Sequence, residues 1–161
     1  MNQTRETSEP YQHLQLGYGI MALVILAWWG LGVSCLRYGN IRAFLIFSAM
    51  LLFLAACFYS LRVTVNETSI RLRFGIGFIR KEILLRDVLS WNRCRNPLLS
   101  GWGVLRRKGK WIYNVSGWDS VELGLKHDQI IRIGTNDAEG LMEAIRKMKN
   151  RNCNDQTRTD A

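Results

Sequence analysis

A short basic run flanked by tryptophans is the part of the sequence best suited to binding chemistry. Its candidate contact residues are Arg106, Arg107, Lys108, Lys110, Trp111 and Trp102. Each Lys or Arg near an anionic membrane surface contributes about 1 kcal/mol of attraction. The run is therefore a candidate for contact with anionic lipid headgroups. The alternative is a solvated turn whose tryptophans pack in the core, because scattered surface charge is ordinary.

Catalytic and metal-binding patterns are missing from the sequence. The two histidines, His13 and His127, lie far apart in the chain, and the four cysteines have no zinc-ligand spacing. Gly75 and Gly77, like Gly101 and Gly103, are separated by one residue, but neither pair opens a helix that could bind phosphate. We therefore expect a protein that is not an enzyme and that has no cofactor or metal.

The composition changes abruptly along the chain. The segments 14–36 and 43–61 contain no Asp, Glu, Lys or Arg. Residues 62–150 contain 17 of the 22 Lys and Arg residues and contribute +8 of the net charge of +9. A basic excess of this kind indicates an anionic partner. Because hydrophobic segments precede it, we expect that partner to be the lipid bilayer and not nucleic acid.

The two uncharged segments are long enough to cross a membrane. A spanning helix needs about 20 apolar residues, and segments 14–36 and 43–61 have 23 and 19 uncharged residues. Only residues 37–42 separate them, with the turn signal Gly39–Asn40 in the middle. We therefore predict a transmembrane hairpin of two antiparallel helices. A cleaved signal peptide is disfavoured, because the first segment is too long and a second follows at once.

The basic residues around these segments predict an orientation. Two spans bring both termini to the same side of the membrane. The connecting loop contains Arg37 and Arg42, whereas the other side carries Arg5, Arg62, Arg71, Arg73, Arg80 and Lys81. The positive-inside rule then places both termini in the cytoplasm, with the hairpin in the cell (inner) membrane.

Residues 62–150 have the pattern of a small β-rich domain. Val63–Val65 and Ile70–Phe74 alternate apolar and polar side chains on either side of a short turn, which predicts a β-hairpin. Further strands are predicted at 79–91, 111–115, 120–125 and 130–133.

A closing helix is predicted after the last strand. Asn136 and Glu139 form a candidate capping box, and Leu141, Ile145 and Met148 follow on one helix face. The predicted organisation has four parts: a polar tail 1–13, the helical hairpin 14–61, the β-rich domain 62–150 and a disordered tail 151–161.

This order of elements resembles that of a pleckstrin-homology-like (PH-like) domain. The resemblance covers residues 62–148. Stretches similar to bacterial PH-like proteins are 63–75, 83–88 and 132–137 with Leu141, and turns similar to those of a membrane-anchored subgroup lie at 96–97, 101–103 and 113–117. The resemblance implies an α+β fold, with a β-sandwich or barrel closed by a C-terminal helix and preceded by hydrophobic helices.

The same resemblance limits what can be said of ligands. In eukaryotic relatives, basic residues in the first strand-to-strand loop bind phosphoinositides, but the loop Asn66–Thr68 has no basic residue. We therefore expect a membrane-anchored, non-enzymatic binding module at the cytoplasmic surface. The alternative is an accessory subunit of a larger membrane complex, held to a membrane-protein partner by its helical hairpin.

Overall fold

The computed structural model describes residues 10–95, 103–107, 109–115 and 118–159, with side chains up to residue 152. These residues form three α-helices and nine strands. The strands are β1 (Tyr11–Leu16), β2 (Ser60–Val65), β3 (Ser69–Phe74), β4 (Ile79–Leu84), β5 (Val88–Arg95), β6 (Gly103–Arg107), β7 (Lys110–Asn114), β8 (Asp119–Leu125) and β9 (Ile130–Gly134). The helices are α1 (Tyr18–Tyr38), α2 (Ile41–Phe58) and α3 (Ala138–Thr159).

The first strand lies partly in the segment predicted to be a polar tail. β1 pairs antiparallel with β2, so that Leu16 is opposite Ser60 and Tyr11 is opposite Val65. The Tyr11 hydroxyl also donates a hydrogen bond of 2.8 Å to Asp137 at the start of α3. β1 was missed because it is polar, and the strand beside it lies beyond both helices in the chain.

The helical hairpin is present, with bounds that differ from the prediction. α1 begins at Tyr18 instead of residue 14, and α2 covers Ile41–Phe58 instead of 43–61. The leucines at both outer ends belong to strands, and the Gly17 N–H donates to the Tyr59 carbonyl at 2.7 Å. At the turn, the predicted Gly39–Asn40 signal is confirmed: Gly39 has φ of 67°, and the Asn40 side chain caps α2.

The strands form two sheets, with the orders β1-β2-β3-β4 and β5-β8-β9-β7-β6. All neighbouring strands are antiparallel except β7 and β9, which are parallel. The strand predicted at 79–91 is divided by a 3-10 turn, Leu85–Asp87, which carries the chain from one sheet to the other. No barrel closes in the described part of the chain, and the hydrophobic core includes the inner sides of both sheets.

The closing helix packs as predicted but is capped and ended differently. Leu141, Ile145 and Met148 are buried. The cap is Asp137 instead of Asn136, because the Asp137 carboxylate accepts a 2.9 Å hydrogen bond from the Gly140 N–H. α3 continues to Thr159, through most of the segment expected to be disordered. Asn152 supports this extension by donating to the Glu67 carbonyl at 2.6 Å.

Candidate functional site at the base of the helical hairpin

Three arginines form a row across the outer face of the first sheet. Arg62 on β2 is directly opposite Arg73 on β3, and Arg73 is directly opposite Arg80 on β4. Neighbouring strands lie about 4.8 Å apart, and like charges opposite each other destabilise a sheet. We call Arg62, Arg73 and Arg80 the arginine row.

The next row along the sheet is compensated in charge. Arg71 is opposite Glu82, and its Nε lies 3.0 Å from Glu82 Oε1. Hydrogen bonds from Ser69 and then from Arg71 lower the pKa of the Glu82 carboxyl. Among the described residues, by contrast, no carboxylate forms an ion pair with any member of the arginine row.

Two members of the row line a small pocket. Arg80 is already engaged, because its Nε donates to the Gly77 carbonyl at 2.6 Å. Arg62 and Arg73 are exposed and border a pocket of about 200 Å³. The other lining residues are Leu14, Tyr59, Ser60, Gly75, Ile76 and Gly77.

The β3–β4 turn, which lines this pocket, is joined by backbone hydrogen bonds to the end of α2 at Ala56 and to the start of β2 at Ser60. The Gly75 N–H donates to the Ser60 carbonyl at 2.8 Å, and the Ile76 N–H donates to the Ala56 carbonyl at 3.2 Å. Gly75 has φ of +47°, and a Cβ at this position would lie 2.1 Å from the Ala56 oxygen. Only glycine fits here, so the β3–β4 turn is seated directly on the helix end.

The same turn exposes large apolar side chains. Ile76 is 59% exposed and Phe78 is 70% exposed. The Phe78 ring lies 6.2 Å, centroid to centroid, from Phe53 of α2. The turn therefore continues the apolar surface of the helical hairpin onto the β-rich part.

The helices beside this turn are long and apolar enough to cross a membrane. α1 has no buried residue and α2 has one, Cys57, which distinguishes both from the core helices of a soluble protein. Tyr18 and Tyr59 are exposed where α1 begins and α2 ends. Tyrosines at these positions are typical of the aromatic belts at membrane interfaces.

The basic turn predicted from the sequence lies on β6 and β7. Arg106 is opposite Trp111, and its guanidinium lies 5.6 Å from the tryptophan ring centroid. Gly103 at the start of β6 lies against Phe58, the last residue of α2. Arg107, at the other end of β6, is four residues from Gly103, which corresponds to about 13 Å along the strand. Lys108 and Trp102, also named as candidates, lie outside the described residues.

Lys110 is committed to an ion-pair cluster. Its Nζ lies 3.0 Å from Glu122 Oε1, and the Arg132 guanidinium lies 2.6 Å from the other carboxylate oxygen. Burial would raise the pKa of the Glu122 carboxyl, but hydrogen bonds from Arg132 and Lys110 outweigh it and lower that pKa. Lys110 is thus less available to an external anion than Arg62 or Arg73.

The described residues contain no group of three or more His, Cys, Asp or Glu side chains that could hold a metal ion. His127 is exposed in the turn between β8 and β9. His13 lies on β1, with its Nε2 2.5 Å from Asn136 Oδ1.

Sequence reasoning used Arg62, Arg73 and Arg80 to orient the helical hairpin and considered Arg73 as an extension of the basic face, but it did not place the three in one row. The alternation of β2 and β3 places Arg62, Arg71 and Arg73 on one face, and this signal was available. The register of β2, β3 and β4, which decides that Arg71 meets Glu82 while Arg73 meets two arginines, could not be read from the sequence.

In comparisons with known proteins, no protein-family model matches the chain, and no curated protein and no solved structure matches it.

Proposed function

We propose that this protein is a membrane-anchored, non-enzymatic binding module: the helical hairpin crosses the inner membrane, and a PH-like domain is held at the cytoplasmic surface. The observation that carries the proposal is the seating of the β3–β4 turn on the end of α2. The Ile76 N–H donates to the Ala56 carbonyl of α2, and only Tyr59 separates α2 from β2, so there is no flexible linker between the helices and the sheet. A domain fixed in this way presents one constant surface beside the membrane.

The PH-like assignment belongs to this proposal. It is supported by two sheets followed by one C-terminal helix, which packs against β2, β5 and β8. The cytoplasmic placement is supported by the excess of basic residues on the domain side.

A second candidate function is that of an accessory subunit in a larger membrane complex. It is favoured by an apolar groove of about 340 Å³ between α1 and α2 near their connecting turn. Trp29, which lines this groove, is 70% exposed near the middle of α1. Its indole N–H has no hydrogen-bond partner among the described residues, and lipid tails offer none. A neighbouring membrane helix could supply one.

One experiment separates the two functions. The full chain and a variant in which residues 19–54 are replaced by an unrelated transmembrane hairpin, so that the end of α2 that contacts the β3–β4 turn is kept, are each purified from membranes in mild detergent with their bound proteins. A binding module should keep its partners when the helices are exchanged, whereas an accessory subunit should lose them. Release of the unaltered chain from membranes by alkaline carbonate would contradict both functions.

A further inference from the structure

We propose that the pocket between Arg62 and Arg73 binds the phosphate group of an anionic membrane phospholipid. This inference rests on the proposed function, because it requires the helical hairpin to lie in a bilayer.

The positive charge of the arginine row is not compensated by any described carboxylate. Arg62 and Arg73 are opposite each other on neighbouring strands, and Arg80 extends the row. No described carboxylate pairs with these three, although the neighbouring Arg71 has Glu82 at 3.0 Å. A bound anion would relieve the repulsion, and guanidinium groups bind phosphate with paired, charge-assisted hydrogen bonds.

The apolar part of the pocket selects a lipid among phosphate ligands. Leu14 and Ile76 line the same pocket as the two arginines, and both are exposed. Phe78 follows in the same turn and lies against Phe53 of α2. A lipid has phosphate and hydrocarbon next to each other, so it matches this arrangement, whereas inorganic phosphate would leave the apolar residues exposed to water.

The distance of the pocket from the end of α2 matches the thickness of the headgroup layer. Tyr59, at the end of α2, lines the pocket, and Arg62 is three residues farther along the chain. Three residues of strand span about 10 Å, and a headgroup layer is roughly 5 to 8 Å thick. A long arginine side chain can cover the difference, which places its guanidinium among the phosphates.

The consequence is that lipid composition would control how firmly the domain is held. With an anionic phospholipid bound, the repulsion across the arginine row is cancelled, and the first sheet is fixed against the membrane. In a zwitterionic membrane the row stays uncompensated. The net charge of the domain surface beside the membrane, and not its position, would then depend on the anionic lipid content of the leaflet.

The test uses the full chain in a non-ionic detergent, titrated with short-chain phosphatidylglycerol or phosphatidylcholine, with bound lipid counted by native mass spectrometry. We expect phosphatidylglycerol to bind at least about tenfold more tightly than phosphatidylcholine. In the double variant Arg62→Gln/Arg73→Gln, the affinity for phosphatidylglycerol should fall about tenfold or more, in line with a cost of about 1 kcal/mol per basic residue. The matched control is Arg71→Gln, which lies on β3 like Arg73 but in the compensated row. Its affinity for phosphatidylglycerol should stay within about twofold of that of the unaltered chain.

Three results would overturn the inference. They are equal binding of the two lipids, unchanged phosphatidylglycerol binding in the double variant, and displacement of the lipid by inorganic phosphate at equal concentration. The last would assign the site to a soluble phosphate compound. If the double variant does not fold, Arg62→Lys/Arg73→Lys takes its place. Because lysine keeps the charge but not the paired hydrogen bonds, we expect the affinity for phosphatidylglycerol to fall about threefold. An unchanged affinity would count against arginine recognition of phosphate.

Failure of this inference can be told from failure of the proposed function. Resistance of the chain to carbonate extraction tests the membrane anchor without reference to lipid binding. A chain that stays in the membrane but shows no lipid preference refutes only the lipid site. A chain that carbonate releases refutes both.

Discussion

Leu16 on β1 and Ser60 on β2 are directly opposite each other in the first sheet, although the whole helical hairpin separates them in the chain. The helices are thus an insertion into a β-hairpin. Removal of β1 would expose β2 as a new sheet edge and would break the Tyr11–Asp137 hydrogen bond. The carboxylate of Asp137 is well held there: hydrogen bonds from Tyr11 and from the Gly140 N–H lower its pKa.

A minimal soluble domain follows from this pairing. Replacement of residues 17–59 by the dipeptide Asn-Gly should give a soluble, folded, β-rich protein, because Asn-Gly turns join strands whose ends are directly opposite. Circular dichroism, gel filtration and urea unfolding measure this. The fragment 62–150, which the sequence predicts to be an independent domain, lacks β1 and should be much less stable or aggregate. Equal stability of the two proteins would show that β1 is dispensable.

The closing helix should contribute strongly to stability. In the minimal domain, Leu141→Ala or Ile145→Ala should each lower the free energy of unfolding by about 2 to 5 kcal/mol, because both side chains are fully buried. Arg146→Ala, on the exposed face of the same helix, should change it by less than about 0.5 kcal/mol. Losses below about 1 kcal/mol at both buried positions would mean that α3 is not packed.

The close seating of Gly75 on α2 can be tested against Gly77. Both glycines have positive φ, but a Cβ at Gly75 would collide with the Ala56 carbonyl, whereas one at Gly77 would meet only the Arg80 side chain at 3.6 Å. Gly77→Ala should cost about 1 to 2 kcal/mol for its left-handed backbone. Gly75→Ala should lower the Tm of the full chain further. In the minimal domain, which lacks α2, the two variants should have similar Tm values, and a persisting difference would contradict the proposed contact.

The orientation in the membrane is predicted from the basic residues on the two sides. A reporter active only in the cytoplasm, fused after Thr159, should be active, whereas the same reporter in the Gly39–Asn40 turn should be inactive. A reporter active only outside the cytoplasm should give the reverse pattern. Activities on the opposite sides would refute the orientation but not the helical hairpin.

The basic turn is a separate candidate for lipid contact. Neutralising Arg106, Arg107, Lys108 and Lys110 in the minimal domain should weaken binding to anionic vesicles at low salt. The difference should shrink as salt rises, because exposed charges are screened over about 8 Å at physiological ionic strength. Neutral vesicles should bind poorly in both cases. Equal binding by the original and altered domains at low salt would show that the turn is only a solvated surface.

The sequence alone determined the elements that depend on local pattern. Two uncharged runs of sufficient length predicted α1 and α2, and the alternation around Asn66–Thr68 predicted β2 and β3. The helix face of Leu141, Ile145 and Met148 predicted the packing of α3. In each case the residues that reveal the element are neighbours within it.

Only the tertiary structure decided the features that join distant segments. β1 is polar and becomes a strand through hydrogen bonds with β2, which begins after both helices. The arginine row exists because the register places Arg62, Arg73 and Arg80 opposite one another, and a shift of one pair would have given them different partners. A local pattern shows which face of a strand a side chain lies on, but long-range pairing decides which charges meet there.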